Sequence, residues 1–183
     1  SVDSVRLLDA GCGTGGALAT YLRSYGAGFG CDLSAIALSL ESDRPPNTKA
    51  RASVTRLPYP DASFDIVTSF DVIYERAVES DRSALLEMSR VLRQRGILLL
   101  RAPAHNWLRG QHDRATHTAR RYNAGSIRRL LAESGLTPIH LTYANMCLFP
   151  AVAAKRLFER VVPPRSDTSD LDWEAGPLNG PLQ

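Results

Sequence analysis

The stretch "LLDAGCGTGGAL", Leu7 to Leu18, sets the tightest limit on what this chain can fold into. An apolar run ends in an acid, and four glycines follow within six positions before small and apolar residues resume. The run reads as a buried strand, and Leu18, Ala19 and Leu22 recur at helical spacing after it. Between the two, glycine lets the backbone turn sharply and lie flat against a ligand.

The same alternation continues along the chain. Strands are expected at Val5 to Asp9, Gly28 to Asp32, Lys49 to Val54, Phe64 to Phe70, "RGILLLRAP" (stopped by Pro103) and Leu136 to Tyr143. Helices are expected at Gly15 to Tyr25, Ala35 to Glu41 with Ser34 as N-cap, from an Asp81 cap to about Arg93, Ser126 to Ser134, and Ala151 to Val162. Several strands are apolar on both faces. That predicts an α/β fold whose mainly parallel sheet is covered on two sides. Residues 1–162 read as this domain. Residues 163–183, rich in Pro, Gly, Ser and Asp, read as a disordered tail with Trp173 and Leu178 as docking points.

The net charge is +3, carried by 20 arginines and only two lysines, Lys49 and Lys155. The arginines are spread out and largely balanced by 19 acids, so no basic stripe emerges and no nucleic-acid partner is expected. No apolar run approaches the roughly 20 residues that span a bilayer, so no stable membrane insertion is expected. The chain opens directly on a strand pattern rather than a signal peptide. Cys12, Cys31 and Cys147 are too scattered for a disulfide framework, which suits a reducing, cytoplasmic setting.

Ligands of an open parallel sheet sit beyond the carboxyl ends of its strands, where Gly11, Gly13 and Gly15 fall. The spacing Gly11, Gly13, Gly16 also satisfies the dinucleotide pattern G-x-G-x-x-G, so a nicotinamide cofactor must be weighed. Asp9 argues against it. A diphosphate at about 4 Å from an ionised carboxylate would be repelled by on the order of 4 kcal/mol at a protein-surface dielectric. S-adenosylmethionine carries an ammonium and a sulfonium and no phosphate, and would be attracted. Asp32, at the end of the second strand, can accept both ribose hydroxyls of either cofactor.

Four segments, "LLDAGCGTGG", "GFGCDLS", "LPYPDASFDIVTSFDVIYE" and "MSRVLRQRGILLL", resemble the class I S-adenosylmethionine-dependent methyltransferases in order and spacing. The resemblance implies a Rossmann-like three-layer sandwich with S-adenosylmethionine as cofactor. It implies a cofactor bed at Asp9, Ala10, Gly11, Cys12 and Gly13, with Asp32 on the ribose and Leu33 against the adenine. Backbone at Phe70 would face the methionine part. The connection "PAHNWLRGQHDRATHTARRYNAGSIRRLLAESG" resembles a bacterial subgroup, which implies a small-molecule, lipid-linked or sugar-type acceptor.

The sequence departs from the family in three places. Ser53 and Val54 stand where relatives often have Asp-Ala, and a serine holds an adenine amine less strongly than a carboxylate. Tyr74 and Glu75 stand where many relatives have Glu-His; Tyr74 is a candidate pocket wall, and no catalytic histidine carries over. Against the family pattern, the N-terminal helices and the last antiparallel strand are expected to be missing. The exposed sheet edge would favour a homodimer, and a non-catalytic cofactor-binding fragment is an alternative to an active enzyme.

A base is needed only for a hydroxyl or protonated amine acceptor. His112 is the first candidate and His117 the second, since histidine exchanges protons near neutral pH. A surface loop whose histidines and arginines bind one another is the competing reading. No metal is expected: His105, His112, Asp113 and His117 match no compact ligand spacing. Arg120 and Arg121 could grip an acceptor phosphate or carboxylate, or cap the preceding turn.

Overall fold

The apolar runs pair as a five-stranded, wholly parallel sheet in the order β3-β2-β1-β4-β5. The strands are β1 (Arg6–Ala10), β2 (Ala27–Asp32), β3 (Lys49–Arg51), β4 (Phe64–Phe70) and β5 (Leu92–Arg101). The helices are α1 (Gly16–Ala19), α2 (Ala35–Ser39), α3 (Asp81–Val91) and α4 (Ala124–Glu133). This computed structural model describes residues 5–40, 48–110, 113, 117–144, 149–150 and 152–154.

Side chains alternate across the sheet, so each strand serves two cores. Leu8 and Val67 face α3 and α4, whose Leu85, Met88, Val91, Ile127 and Leu131 join the larger core. Leu7 and Ile66 face the other way, against Leu18, Leu22 and Leu38 from the first three helical segments. Each fully buried Leu, Met or Val contributes about 1.5–3 kcal/mol, and this is what holds the three layers together. The chain runs outward from β1 through β2 to β3, then returns to place β4 on the other side of β1. That reversal opens a crevice at the carboxyl ends of β1 and β4.

Several boundaries differ from the sequence reading. Ser80, not Asp81, caps α3, its Oγ accepting the Ser83 N–H at 3.1 Å. Asp81 sits in the first turn, where its carboxylate accepts the Tyr122 hydroxyl at 2.9 Å. The helix stops at Val91 because Leu92 already pairs beside Phe64, and Arg93 is pinned to Asp65 at 2.7 Å. The first helix lasts one turn: the Thr20 hydroxyl donates back to the Gly16 carbonyl at 2.8 Å, and a 3-10 turn, Leu22–Tyr25, follows. β3 ends at Arg51, before the Ser53–Thr55 turn.

The predicted sixth strand, Leu136 to Tyr143, is irregular chain. A strand needs a neighbour to take its backbone hydrogen bonds, and β5 borders the described sheet without one on that side. Leu136 and Leu141 still pack on the larger core, while Ile139 is exposed. The tail, and most of the predicted last helix, lie outside the described residues.

Candidate functional site

The crevice holds a cavity lined by Gly11, Gly13, Asp32, Leu33, Ala52, Ser53, Val54, Phe70, Asp71, Val72, Glu75, Ala77 and Val78. Its floor is the glycine loop, which bends back onto β2: the Gly11 and Cys12 N–H groups both donate to the Cys31 carbonyl, at 2.8 and 2.9 Å. Gly11 has φ +86°, and a Cβ there would stand 2.3 Å from Val72 Cγ2. Gly13 has φ +54° with nothing within 4 Å of its Cβ position, so its bare backbone faces open space. One glycine is required by packing, the other leaves room for a ligand.

Asp32 organises the rim. Its Oδ2 accepts the Gly13 N–H and its Oδ1 the Ser34 N–H, each at 2.8 Å. A carboxylate offers about four acceptor positions, so two remain for a ligand's hydroxyls. Leu33, half exposed, and Val54 form apolar wall beside it. The Ser53 hydroxyl shares a 2.8 Å hydrogen bond with Thr55 Oγ1 and accepts the Thr55 N–H at 3.2 Å, so it stabilises its own turn.

Asp9, Ala10 and Cys12 do not reach the cavity wall. Asp9 and Ala10 end β1 beneath the glycine loop, beside β2 and β4, and Cys12 is buried within the loop itself. Asp9 is 3% exposed and accepts the Thr68 hydroxyl at 2.7 Å. The Cys12 thiol is pushed up to about 12 by burial first and then by the negative charge of Asp9. It is no nucleophile at neutral pH.

After β4, Phe70 lies under the Arg101 guanidinium, 5.4 Å from the ring centroid. Asp71 turns the chain at φ +62° and pairs with Arg101. Glu75, which the sequence reading passed over, lines the cavity. Tyr74, the expected wall, does not: its side chain packs on the larger core and its carbonyl accepts the Ala119 and Arg120 N–H groups. Consecutive residues in this turn point apart, and the sequence signal available was only that a carboxylate stood next to the tyrosine.

The connection after β5 departs most from expectation. His112 lies outside the described residues. His117 is exposed, at φ +53°, and is not on the cavity wall, but it faces Glu75 closely enough to favour that carboxylate's charged form. His105 stacks on Tyr143 at 4.9 Å between ring centroids. Asp113 is 4% exposed and takes the Arg121 guanidinium at 2.6 Å and the Gly110 N–H at 2.6 Å. Burial raises its pKa, but those two hydrogen bonds outweigh it and hold the carboxyl below the usual range. Arg121 also donates to the Ala104 carbonyl, and Arg120 to the carbonyls of Val78 and Glu79. Both arginines tie the connection to the fold rather than offering a grip for an acceptor. Among the described residues, no three His, Cys, Asp or Glu side chains converge as metal ligands. No helix among them is long and apolar enough to cross a membrane.

With this geometry established, comparison with known proteins is direct. The family model for a methyltransferase domain matches residues 8–100, more than half of the chain. No curated protein matches the sequence. Among solved structures, YcgJ from Bacillus subtilis is 21% identical with a TM-score of 0.63, covering 86% of this chain and 75% of its own. An S-adenosylmethionine-dependent methyltransferase from Mesorhizobium loti is 19% identical with a TM-score of 0.63, covering 87% of both chains. Geranyl diphosphate C-methyltransferase from Streptomyces coelicolor, in complex with Mg2+, geranyl diphosphate and S-adenosylhomocysteine, is 17% identical with a TM-score of 0.65, covering 76% of this chain and 55% of its own.

Proposed function

Because the chain belongs to the methyltransferase-domain family, whose cofactor is S-adenosylmethionine, we propose that it transfers the cofactor's methyl group to a small-molecule acceptor. The observation that carries this reading is the charge of the cavity. Its wall bears three carboxylates, Asp32, Glu75 and the Arg101-paired Asp71, and no Lys, Arg or His among the described residues. A diphosphate would be repelled there, and a sulfonium and ammonium attracted. Asp9, buried behind the loop, adds to the same field from beneath.

In this reading Gly11 and Gly13 offer backbone to the methionine part, with Ala10 and Cys12 fixing the loop below. Asp32 takes the ribose hydroxyls. Leu33, Ser53 and Val54 bound the adenine, and the end of β4 at Phe70 meets the methionine end. The bound cofactor supplies a methyl group already activated on sulfur. The chain's own residues align the acceptor and exclude water, which can lower the barrier by roughly 7 kcal/mol or more. His117 stands outside the wall, exposed and facing Glu75. A small-molecule acceptor is supported by the Streptomyces neighbour, whose bound geranyl diphosphate is one, although that anion's charge does not suit this wall.

Calorimetric titration tests the reading. S-adenosylhomocysteine is expected to bind, and Asp32→Asn to weaken it about tenfold or more by removing a charged acceptor. Tight binding of NADH with none of S-adenosylhomocysteine would overturn it.

A further inference from the structure

Glu75 is the one cavity-wall carboxylate for which the described residues supply neither an ion pair nor a hydrogen bond, His117 acting on it only through its charge. Asp32 is bonded to two backbone N–H groups and Asp71 is paired with Arg101. The Glu75 backbone, by contrast, is fixed from several sides. Its N–H donates to the Val72 carbonyl at 2.9 Å, it bridges to Thr118, and the neighbouring Arg76 N–H donates to the His117 carbonyl at 3.0 Å. The side chain is therefore held at the cavity while its carboxylate is left for something else.

We propose that Glu75 holds the ammonium of an amine acceptor at the reacting centre and takes its proton. This rests on the methyltransferase reading above. An ammonium cannot attack until one N–H bond breaks. That proton passes to a Glu75 oxygen, and the freed nitrogen lone pair forms a bond to the methyl carbon. The carbon–sulfur bond breaks as it does so, leaving its electron pair on sulfur. The methylated nitrogen carries the positive charge that the sulfonium gives up, and Glu75 passes its proton outward past His117.

The surroundings suit a carboxylate that must change protonation state. Burial raises the Glu75 carboxyl above its ordinary range, and Asp32 and Asp71 push the same way, while His117 opposes them. Of the other cations nearby, Arg101 is paired with Asp71, Arg120 is held by Asp81 and by backbone carbonyls that include those of Val78 and Glu79, and Arg76 is exposed. An anionic acceptor would meet the carboxylates of Asp32 and Glu75 and be turned away.

Binding alone can test this, with no acceptor in hand. Sinefungin carries a primary amine in place of the methyl-bearing sulfur of S-adenosylmethionine, so it presents an ammonium where the methyl group would leave. At pH 8 the wild type is expected to prefer sinefungin over S-adenosylhomocysteine by roughly tenfold, the scale of one charge-assisted hydrogen bond. Because the carboxyl is raised above its ordinary range, the preference should fade as pH falls through that raised value. Glu75→Gln should show no preference at any pH while still binding S-adenosylhomocysteine, which reports that the variant is folded. A preference that survives in Glu75→Gln, or a wild-type preference flat in pH, would overturn the role of Glu75; the second needs no variant to fold. Wild-type protein that binds neither compound would instead overturn the methyltransferase reading, and this proposal with it.

Discussion

The glycine loop with Asp32 and the connection after β5 both looked chemical in the sequence, and the fold uses them in opposite ways. In the first, polar groups serve their neighbours and still open onto the cavity: Asp32 steadies Gly13 and Ser34 with acceptor positions to spare. In the second, the striking charges are consumed. Asp113 and Arg121 bury one another, and Arg120 is taken up by the backbone carbonyls of Val78 and Glu79. A cluster of charged residues marks a binding site only when some of its hydrogen-bonding capacity is left over. In this molecule that surplus lies at the glycine loop, Asp32 and Glu75.

The sharpest way to break the contrast is to remove Asp113. If the connection is structural, Asp113→Ala strands a buried guanidinium and should cost about 3–5 kcal/mol in urea denaturation. The protein that remains folded should bind S-adenosylhomocysteine much as before. Because the folded carboxyl titrates below its unfolded value, its contribution is present above the ordinary carboxylate range. It is lost as pH falls through the lowered value, and Asp113→Asn should be missing that acid-side loss.

Next in size is Gly11→Ala, in the other region. The added Cβ meets Val72 and the left-handed backbone disfavours alanine, together about 2–4 kcal/mol. Binding of S-adenosylhomocysteine should fall with it. Val72→Ala in the same chain should restore part of the stability, since it relieves the clash and leaves the backbone strain.

The smallest effect is expected at Ser53. Its hydroxyl serves Thr55, so Ser53→Ala should cost about 0.5–1 kcal/mol of stability and leave S-adenosylhomocysteine affinity within about threefold. A larger loss of affinity would show that the hydroxyl leaves its turn to meet the adenine.

Much of this architecture was legible beforehand because it depends on local pattern. Apolar runs of strand length, Ser34 ahead of its helix and the left-handed glycines follow from period, capping and sterics, none of which needs a distant partner. Leu136 to Tyr143 had the right residues and failed as a strand, since a strand exists only where another chain segment takes its hydrogen bonds. Asp81 lost its capping role to the residue before it because Tyr122, far along the sequence, claims its carboxylate.

What the sequence determined by itself was the parallel α/β sheet, the glycine turn after β1 and the acid at the end of β2. Tertiary structure decided which charges remain available: it buried Asp9, paired Asp113 with Arg121 and put Glu75 rather than Tyr74 on the cavity wall. The physical reason is that periodicity and backbone sterics act over a few residues. Solvation and charge pairing depend on which groups, however distant in the chain, are packed against each other.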